Sequence, residues 1–316
     1  MKDWKRINES CFSEINARER AFGLADEGTF TELLGPRDRF SSPHLKALGA
    51  AIEFDDGIIT GIGLIGKHIA FISSMEGKFI GGAIGEVGGA KLVAELRLAM
   101  KTHEMLKGDE CRLRRPLVII SFETGGVRLH EANAGLLAHA EVMDAIQDLR
   151  RKVPVVTVIG SKIGCFGGMG FVAASADAVI MSEVGRLGLT GPEVIEQEVG
   201  KEEFDASDKS LIYRTTGGRH KYITRDCNFL VDDKTSAFRE VLKKVAGMPM
   251  EEIEYLRRIG SAELVEKQIA FAEDAVCSGI SDSIDLWRKY GNKEPEKLPE
   301  IDIDDFLKNV RRRPLD

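Results

Sequence analysis

Residues Val153 to Ala174 read VPVVTVIGSKIGCFGGMGFVAA, and this stretch decides the fold. Val155 to Ile159 is β-branched throughout, which suits a buried strand. Gly164-Cys165-Phe166-Gly167-Gly168-Met169-Gly170 follows as a tight turn, since glycine lets the backbone bend sharply and approach its surroundings closely. Phe171 to Ala174 is small and apolar and reads as a packed helix. The amides that open such a helix have no carbonyl partner inside it and carry the positive end of its dipole. They suit a phosphate, a carboxylate or an oxygen that turns negative during a reaction. A single turn of this kind serves equally well as a plain strand-to-helix connection without chemistry.

The same order recurs to either side. Upstream, Asp56-Gly57 leads into IITGIGLI, Gly66-Lys67 turns, and His68 to Ser73 returns, the pattern of a hairpin. Glu76 to Gly85 is a second glycine loop. A helix follows from Glu86 to Leu106, with Val87, Ala90, Val93, Leu96, Leu98 and Met105 among its apolar positions. Leu117 to Phe122 is the next strand. Glu123-Thr124-Gly125-Gly126-Val127-Arg128-Leu129-His130-Glu131-Ala132-Asn133 is a third loop, and a helix runs on to about Arg151. Downstream, a strand at Ala178 to Met181 meets Gly185 to Gly191, and Pro192 opens a helix. Each loop follows its strand, so the loops gather on one edge, where open α/β sheets collect ligands. Several glycine loops on one edge favour a built site over coincidence.

The flanks are plainer. Met1 to Phe22 reads as an amphipathic helix with Ile7, Phe12, Ile15 and Phe22 as apolar positions. Asp26 to Pro36 reads as a turn, a short helix and a Gly-Pro stop. Lys201 to Thr224 is polar, a surface excursion that covers the site. Asn228 to Val231 is a last strand, and Lys234 to Tyr290 is mostly helical. Lys293 to Pro299 is a linker, and a helix at Ile303 to Val310 precedes a solvated Arg311-Arg312-Arg313 tail. The expected organisation is an N-terminal helical segment over 1–50, a core domain over 51–246 and a helical extension over 247–316.

A net charge of −7 argues against a general nucleic-acid binder. No apolar run is long enough to cross a bilayer, and MKDWKRINESCF has no signal-peptide core. The cysteines Cys11, Cys111, Cys165, Cys227 and Cys277 are scattered with no CxxC pair, so no metal site is expected and the natural setting is the reduced cytoplasm.

Polar candidates near the loops are few. His130 is a candidate base and Glu131 a candidate orienting group, but their loop position favours a cap for Glu131 and partial exposure for His130. Glu123, Arg128 and Asn133 share that loop. Glu193, Glu196 and Glu198 stand near a helix start, where acidic side chains are stabilising. Cys165 is a candidate nucleophile without a sequence partner that marks it as one. GxSxG, HExxH and GxxxxGK[ST] are all missing. A site rich in backbone amides and poor in acid–base groups suits chemistry whose difficulty is an oxyanion, such as thioester enolate formation. One donor lost from an oxyanion hole typically costs about 10²–10³ in rate.

Residues 123–133 and 164–170, with Gly185-Arg186-Leu187-Gly188-Leu189-Thr190-Gly191-Pro192-Glu193-Val194-Ile195-Glu196-Gln197-Glu198 and Glu203-Phe204-Asp205-Ala206-Ser207-Asp208, resemble the β subunit of malonate decarboxylase. More distantly, Gly125-Gly126-Val127-Arg128 with Gly191 to Glu196 is similar to the carboxyltransferase β subunit of acetyl-CoA carboxylase. The likeness spans roughly Gly28 to Val245. It implies an α/β crotonase-like (ClpP-like) fold, a spiral of ββα units rather than a flat dinucleotide-binding sheet. It implies a malonyl thioester on a phosphopantetheine-like arm of an acyl carrier subunit, with no cofactor bound directly by this chain. A γ subunit of the same fold would form the opposite wall, within a hetero-oligomer. The reaction implied is malonyl thioester to acetyl thioester and CO₂.

By the same likeness, Gly125, Gly126, Gly167 and Gly168 are the oxyanion-hole residues, while a dry pocket destabilises the departing carboxylate. Gly81, Gly82, Phe166 and Gly191 are the substrate-binding positions. Two departures stand out: the zinc ribbon of the acetyl-CoA carboxylase subunit is missing, and His130 replaces an expected glutamine. Two alternatives remain: a carboxyltransferase that passes the carboxyl group to biotin, and a non-catalytic subunit whose loops shape a partner's site.

Overall fold

The structure, a computed structural model, describes residues 11–47, 57–106, 114–257 and 261–314. Among the described residues, seven strands form one sheet in strict sequence order: β1 (Thr31–Leu34), β2 (Ile58–Ile65), β3 (His68–Met75), β4 (Arg114–Phe122), β5 (Val155–Ile159), β6 (Ala178–Ser182) and β7 (Phe229–Val231). β1, β2 and β3 pair antiparallel, with Ile65 opposite His68 across the predicted hairpin turn. From β3 onward every pair is parallel. Val155 to Ile159 is buried along its whole length, as a parallel strand covered on both faces must be.

Strand order explains the layering. Parallel crossovers are right-handed, so an order that never reverses puts every crossover helix on one face. The helices at α1 (Ala17–Leu24) and α2 (Pro43–Ala47) precede the crossovers; the crossover helices are α3 (Glu86–Met105), α4 (Asn133–Leu149) and α5 (Gly168–Ser175). Leu92, Leu96, Val142, Ile146, Met169 and Val172 from these three share a core with Phe71, Val118 and Val155. The opposite face is covered by Ala21 and Leu24 of α1 and by Phe238, Leu242 and Val245 of α9 (Thr235–Gly247). Between β6 and β7 lie α6 (Pro192–Val199), α7 (Lys209–Thr216) and α8 (Gly218–Thr224). After α9 come α10 (Met250–Arg257), α11 (Ser261–Cys277), α12 (Ser283–Lys289) and α13 (Ile303–Asn309). No helix among the described residues is long and apolar enough to cross a membrane.

Several local expectations change. Among the described residues of the expected N-terminal helix, the helix begins at Ala17 and runs to Leu24, because Asn16 and Glu19 form a capping box that starts it there; Met1 to Ser10 lie outside the described residues. Phe12 is buried in the preceding turn, Phe22 is exposed, and Ile7 lies outside the described residues. The short helix expected after Asp26 is instead strand β1, followed by a single 3₁₀ turn at Pro36–Asp38. The unpaired edge of β2 supplies a ladder there, and ladder pairing overrides local propensity. On α3 the inward face is Gly88, Leu92, Leu96 and Ala99, so Ala90, Leu98 and Met105 point outward.

The C-terminal part is docked rather than loose. Ile223 of α8, Leu230, Trp287, Leu298, Ile303 and Phe306 form a third core, so Ile223 and Leu298 anchor the ends of the segments Lys201 to Thr224 and Lys293 to Pro299, while 201–203 and 207–210 stay exposed. The arginine tail is held too. Arg312 donates to the carbonyls of Tyr222 and Cys227 at 2.8 Å each and lies over the Tyr222 ring, and the Arg313 amide donates to Ile223 O at 2.8 Å. Carbonyls left exposed at the end of α8 attract these guanidinium donors, which a charge run alone does not reveal.

Candidate functional site

The loops that follow β3, β4, β5 and β6 are stitched to one another by backbone bonds. Ile84 N donates to Gly126 O (2.8 Å) and Arg128 N to Ile84 O (2.9 Å). Thr124 N donates to Gly164 O (2.8 Å) and Phe166 N to Thr124 O (3.0 Å). Cys165 N donates to Arg186 O (2.8 Å) and Gly188 N to Cys165 O (3.1 Å). Each pair is an isolated β-bridge, Ile84 with Val127, Thr124 with Cys165, and Cys165 with Leu187. Strand, one bridging residue and helix thus repeat as a rising spiral, and the glycine loops stack along it.

The stack brings together the four glycines expected to form an oxyanion hole. A β-carbon on Gly126, whose φ is +116°, would lie 3.0 Å from Gly167 Cα and 3.0 Å from Phe166 O. One on Gly167 would lie 3.1 Å from Gly125 O. Only glycine permits this backbone-to-backbone contact. Their amides differ in availability. Gly125 N donates to Gly81 O at 3.0 Å, Gly126 N to Thr124 Oγ1 at 3.0 Å and Gly167 N to Leu189 O at 2.9 Å. The amides of Gly168 and Met169, the first two of α5, have no acceptor among the described residues. Gly168 is half-exposed and Met169 buried, so the open donor at the mouth of the stack is that of Gly168.

The other expected positions divide. Gly81 is exposed with open space where a side chain would be, and its carbonyl holds Gly125. Gly82 is buried against the Glu123 carbonyl. The Phe166 ring packs beside Gly188 and beneath the Arg186 guanidinium, 4% exposed, so its side chain acts as a packing post. Gly191 is the half-exposed N-cap of α6. Ile80 and Ala132, at positive φ of 49° and 45°, add strained backbone beside the stack.

The charged residues brace this backbone. Glu123 pairs with Arg20 of α1 and accepts from Gly77 N at 3.1 Å. Arg128 and Glu131 form a buried pair at 3.0 Å. Arg128 also donates to Ala83 O at 2.8 Å, and Glu131 accepts from Glu86 N at 2.6 Å. Glu131 therefore caps α3, whose own N-cap is Gly85 and has no side chain to offer. His130 and Asn133 are exposed. Glu196 accepts from Ala206 N at 2.7 Å, which ties the α6 end to the following turn, while Glu193 and Glu198 are exposed. Cys165 is buried, and burial pushes its thiol well above the ordinary range, which disfavours the thiolate that a nucleophile needs.

One side chain here has no counterpart in the sequence reading. His139 on α4 is 4% exposed, and its Nδ1 lies 2.7 Å from Gly135 O. A carbonyl only accepts, so Nδ1 carries the proton and Nε2 presents its lone pair. Burial lowers the imidazole below its usual pKa, so the ring is neutral. The only sequence signal was a lone histidine four residues after a glycine, which does not set it apart from any core histidine.

Comparison with known proteins gives consistent matches. The carboxyl transferase domain family matches residues 14–264. A malonyl-S-ACP:biotin-protein carboxyltransferase of Malonomonas rubra is 56% identical over 315 residues, covering 99% of each chain. A chain of a Pseudomonas malonate decarboxylase hetero-tetramer, solved in complex with malonate, superposes with a TM-score of 0.70 at 38% identity over 82% of this chain and 94% of that one. A chain of the Pseudomonas malonate decarboxylase hetero-dimer gives 0.59 at 35% identity over 78% and 96%. The fold is the crotonase-like α/β fold expected from the resemblance.

Proposed function

Because this chain belongs to the carboxyl transferase family, we propose that it is the β-type subunit of a malonate decarboxylase system. Its substrate is a malonyl thioester carried on an acyl carrier subunit, and its product is the acetyl thioester. The observation that carries this reading is the Gly168 amide, a half-exposed donor at a helix start without an acceptor among the described residues, beside the bonded amides of Gly125, Gly126 and Gly167. It narrows the four-glycine expectation. Gly168 is the donor to the thioester oxygen, and Gly125, Gly126 and Gly167 form the floor that holds it in place. The carboxylate's electron pair moves toward that oxygen as the carbon–carbon bond breaks, and a fixed amide at a helix start stabilises the enolate. A floor free of side chains fits a thioester and the flexible arm that brings it. Gly81 offers its open face to that arm, together with Gly82 and Gly191.

The opposite wall comes from a partner of the same fold. Leu129 (83% exposed), Leu136, Leu137, Phe171 and Leu189 leave large apolar side chains around the stack. Such patches mark association surfaces. The proposed setting is a cytoplasmic hetero-oligomer of this chain, a γ subunit and the carrier.

A second reading concerns only the fate of the carboxyl group. The Malonomonas rubra relative is named as a transferase to a biotin protein, which makes transfer to biotin the alternative to release. Both routes share the enolate step. The test is to co-purify the chain with its partners, supply malonyl thioester on the carrier and follow CO₂ with and without avidin. Release that persists under avidin supports direct decarboxylation, and release abolished by avidin supports transfer. A complex that forms no acetyl thioester in either case overturns the proposal. Replacing Gly168 by a bulkier residue separates catalysis from scaffolding: lost turnover with assembly intact argues against a purely structural subunit, and unchanged turnover argues for one.

A further inference from the structure

Enolate formation leaves one step without a group, since the methylene carbon must gain a proton. Most ionisable side chains beside the glycine stack are committed or turned away. Glu123 is held by Arg20 and the Gly77 amide, and Glu131 by Arg128 and the Glu86 amide. His130 is exposed, and the Cys165 thiol is buried beneath the bridges. His139 differs. Its Nε2 is shielded from solvent and has no hydrogen-bond partner among the described residues, while Nδ1 is anchored to Gly135 O. A β-carbon on Gly168 would meet His139 Cδ2 at 2.8 Å and Nε2 at 3.4 Å. The Cδ2–Nε2 edge of the ring therefore faces the residue that carries the open amide. A buried acceptor left unpaired is costly, and catalysis is one reason native structures keep such a group.

We propose that His139 is the proton relay of this site: substrate entry beside Gly168 opens Nε2 to the mouth of the stack, where it takes up a proton as the enolate forms and delivers it to the methylene carbon. The proposal rests on the malonyl-thioester reading. The bond between carboxyl and methylene carbons breaks, its electron pair enters the thioester as an enolate, and the carboxyl group leaves as CO₂. The enolate forms a C–H bond with the proton on Nε2, and the imidazole returns to neutral. One solvent proton is consumed in each turnover. Negative charge growing beside the imidazole favours its protonated form. The Gly135 carbonyl keeps the ring oriented throughout, as the partner of a relay histidine does.

The test uses the assembled complex with His139→Asn and His139→Gln, both checked for assembly and melting. Asparagine keeps an N–H for Gly135 O but has no atom at Nε2. Glutamine reaches the Nε2 position with an amide that cannot pass a proton. Turnover is expected to fall about 100-fold or more in either variant, with KM little changed. A second readout excludes a merely structural role. In mixed H₂O and D₂O, the deuterium fraction of the acetyl methyl group should differ between wild type and variant, because a different donor makes the new C–H bond. An assembled variant with turnover within about threefold of wild type overturns the relay. So does an unchanged deuterium fraction, even where turnover is lower. A wild-type complex that makes no acetyl thioester overturns the thioester reading itself, and with it the relay. A wild type that turns over beside fully active variants overturns the relay alone.

Discussion

At the residue scale, the site is defined by what backbone atoms have left over. Gly126 at φ +116° touches Gly167 through backbone atoms, so an alanine at 126 meets both a forbidden conformation and a clash. Side chains near the stack contribute by position. Cys165 illustrates this: its amide and carbonyl are spiral bridges, and its thiol is a small apolar filler. Burial also pushes the Cys227 thiol up, to about 12. Alkylation of the native protein near pH 8 should therefore modify the exposed Cys11 and Cys277 and spare Cys165 and Cys227. Peptide mass spectrometry reads this directly. Cys165→Ala should keep most of the turnover, and loss of turnover with the fold intact would return the thiol to the chemistry.

At the scale of elements, the Arg128–Glu131 pair links two pieces of chain that are distant in sequence. It fastens the Ala83 carbonyl and the α3 start to the loop after β4. Breaking a buried pair from one side is costly, because the remaining charge stays desolvated. Glu131→Gln should lower unfolding free energy by about 3–5 kcal/mol in urea titrations. Replacing both residues with apolar ones of similar size should cost less than that single change. Turnover should fall with the single variant too, since the loop carrying Gly81 and Gly82 loses its clamp. A Glu131→Gln protein as stable as wild type would mean that the pair contributes little. Half of this element-level design was readable in the sequence. Glutamate three residues after arginine, just ahead of a helix, reads as a cap, and it is one. The helix it caps is another one, because Gly85 leaves α3 uncapped and the spiral brings Glu131 alongside.

At the scale of the whole molecule, the C-terminal segment closes over α8 through His220. Trp287 Nε1 donates to His220 Nδ1 at 3.2 Å, so the imidazole must be neutral at that nitrogen. Burial, with Lys221 nearby, lowers the His220 pKa to about 3. The sign follows from linkage: a histidine at about 6.5 unfolded and about 3 folded contributes fully above pH 6.5, and that contribution is lost as pH falls toward 3. His220→Asn keeps an acceptor for Trp287 and does not titrate. Relative to that variant, wild type should lose about 2–3 kcal/mol of stability between pH 6.5 and about 4.5. Unfolding curves for both proteins across this range check it, and parallel curves would mean that His220 is not held neutral by the fold.

The sequence by itself determined the repeating order of strand, glycine loop and helix, the β2–β3 hairpin and the crowding of glycines at one edge. Those features rest on local physics: β-branched runs, turn residues, and the hydrophobic spacing of single elements. Tertiary structure alone decided which amides remain free, because a donor's fate depends on carbonyls brought near it by other loops. It gave the amides of Gly125, Gly126 and Gly167 acceptors and left that of Gly168 without one among the described residues. It turned an unremarked histidine on α4 toward that glycine and set the arginine tail on the exposed carbonyls at the end of α8. Hydrogen bonds are allocated between neighbours in space, and one chain read in order does not name those neighbours.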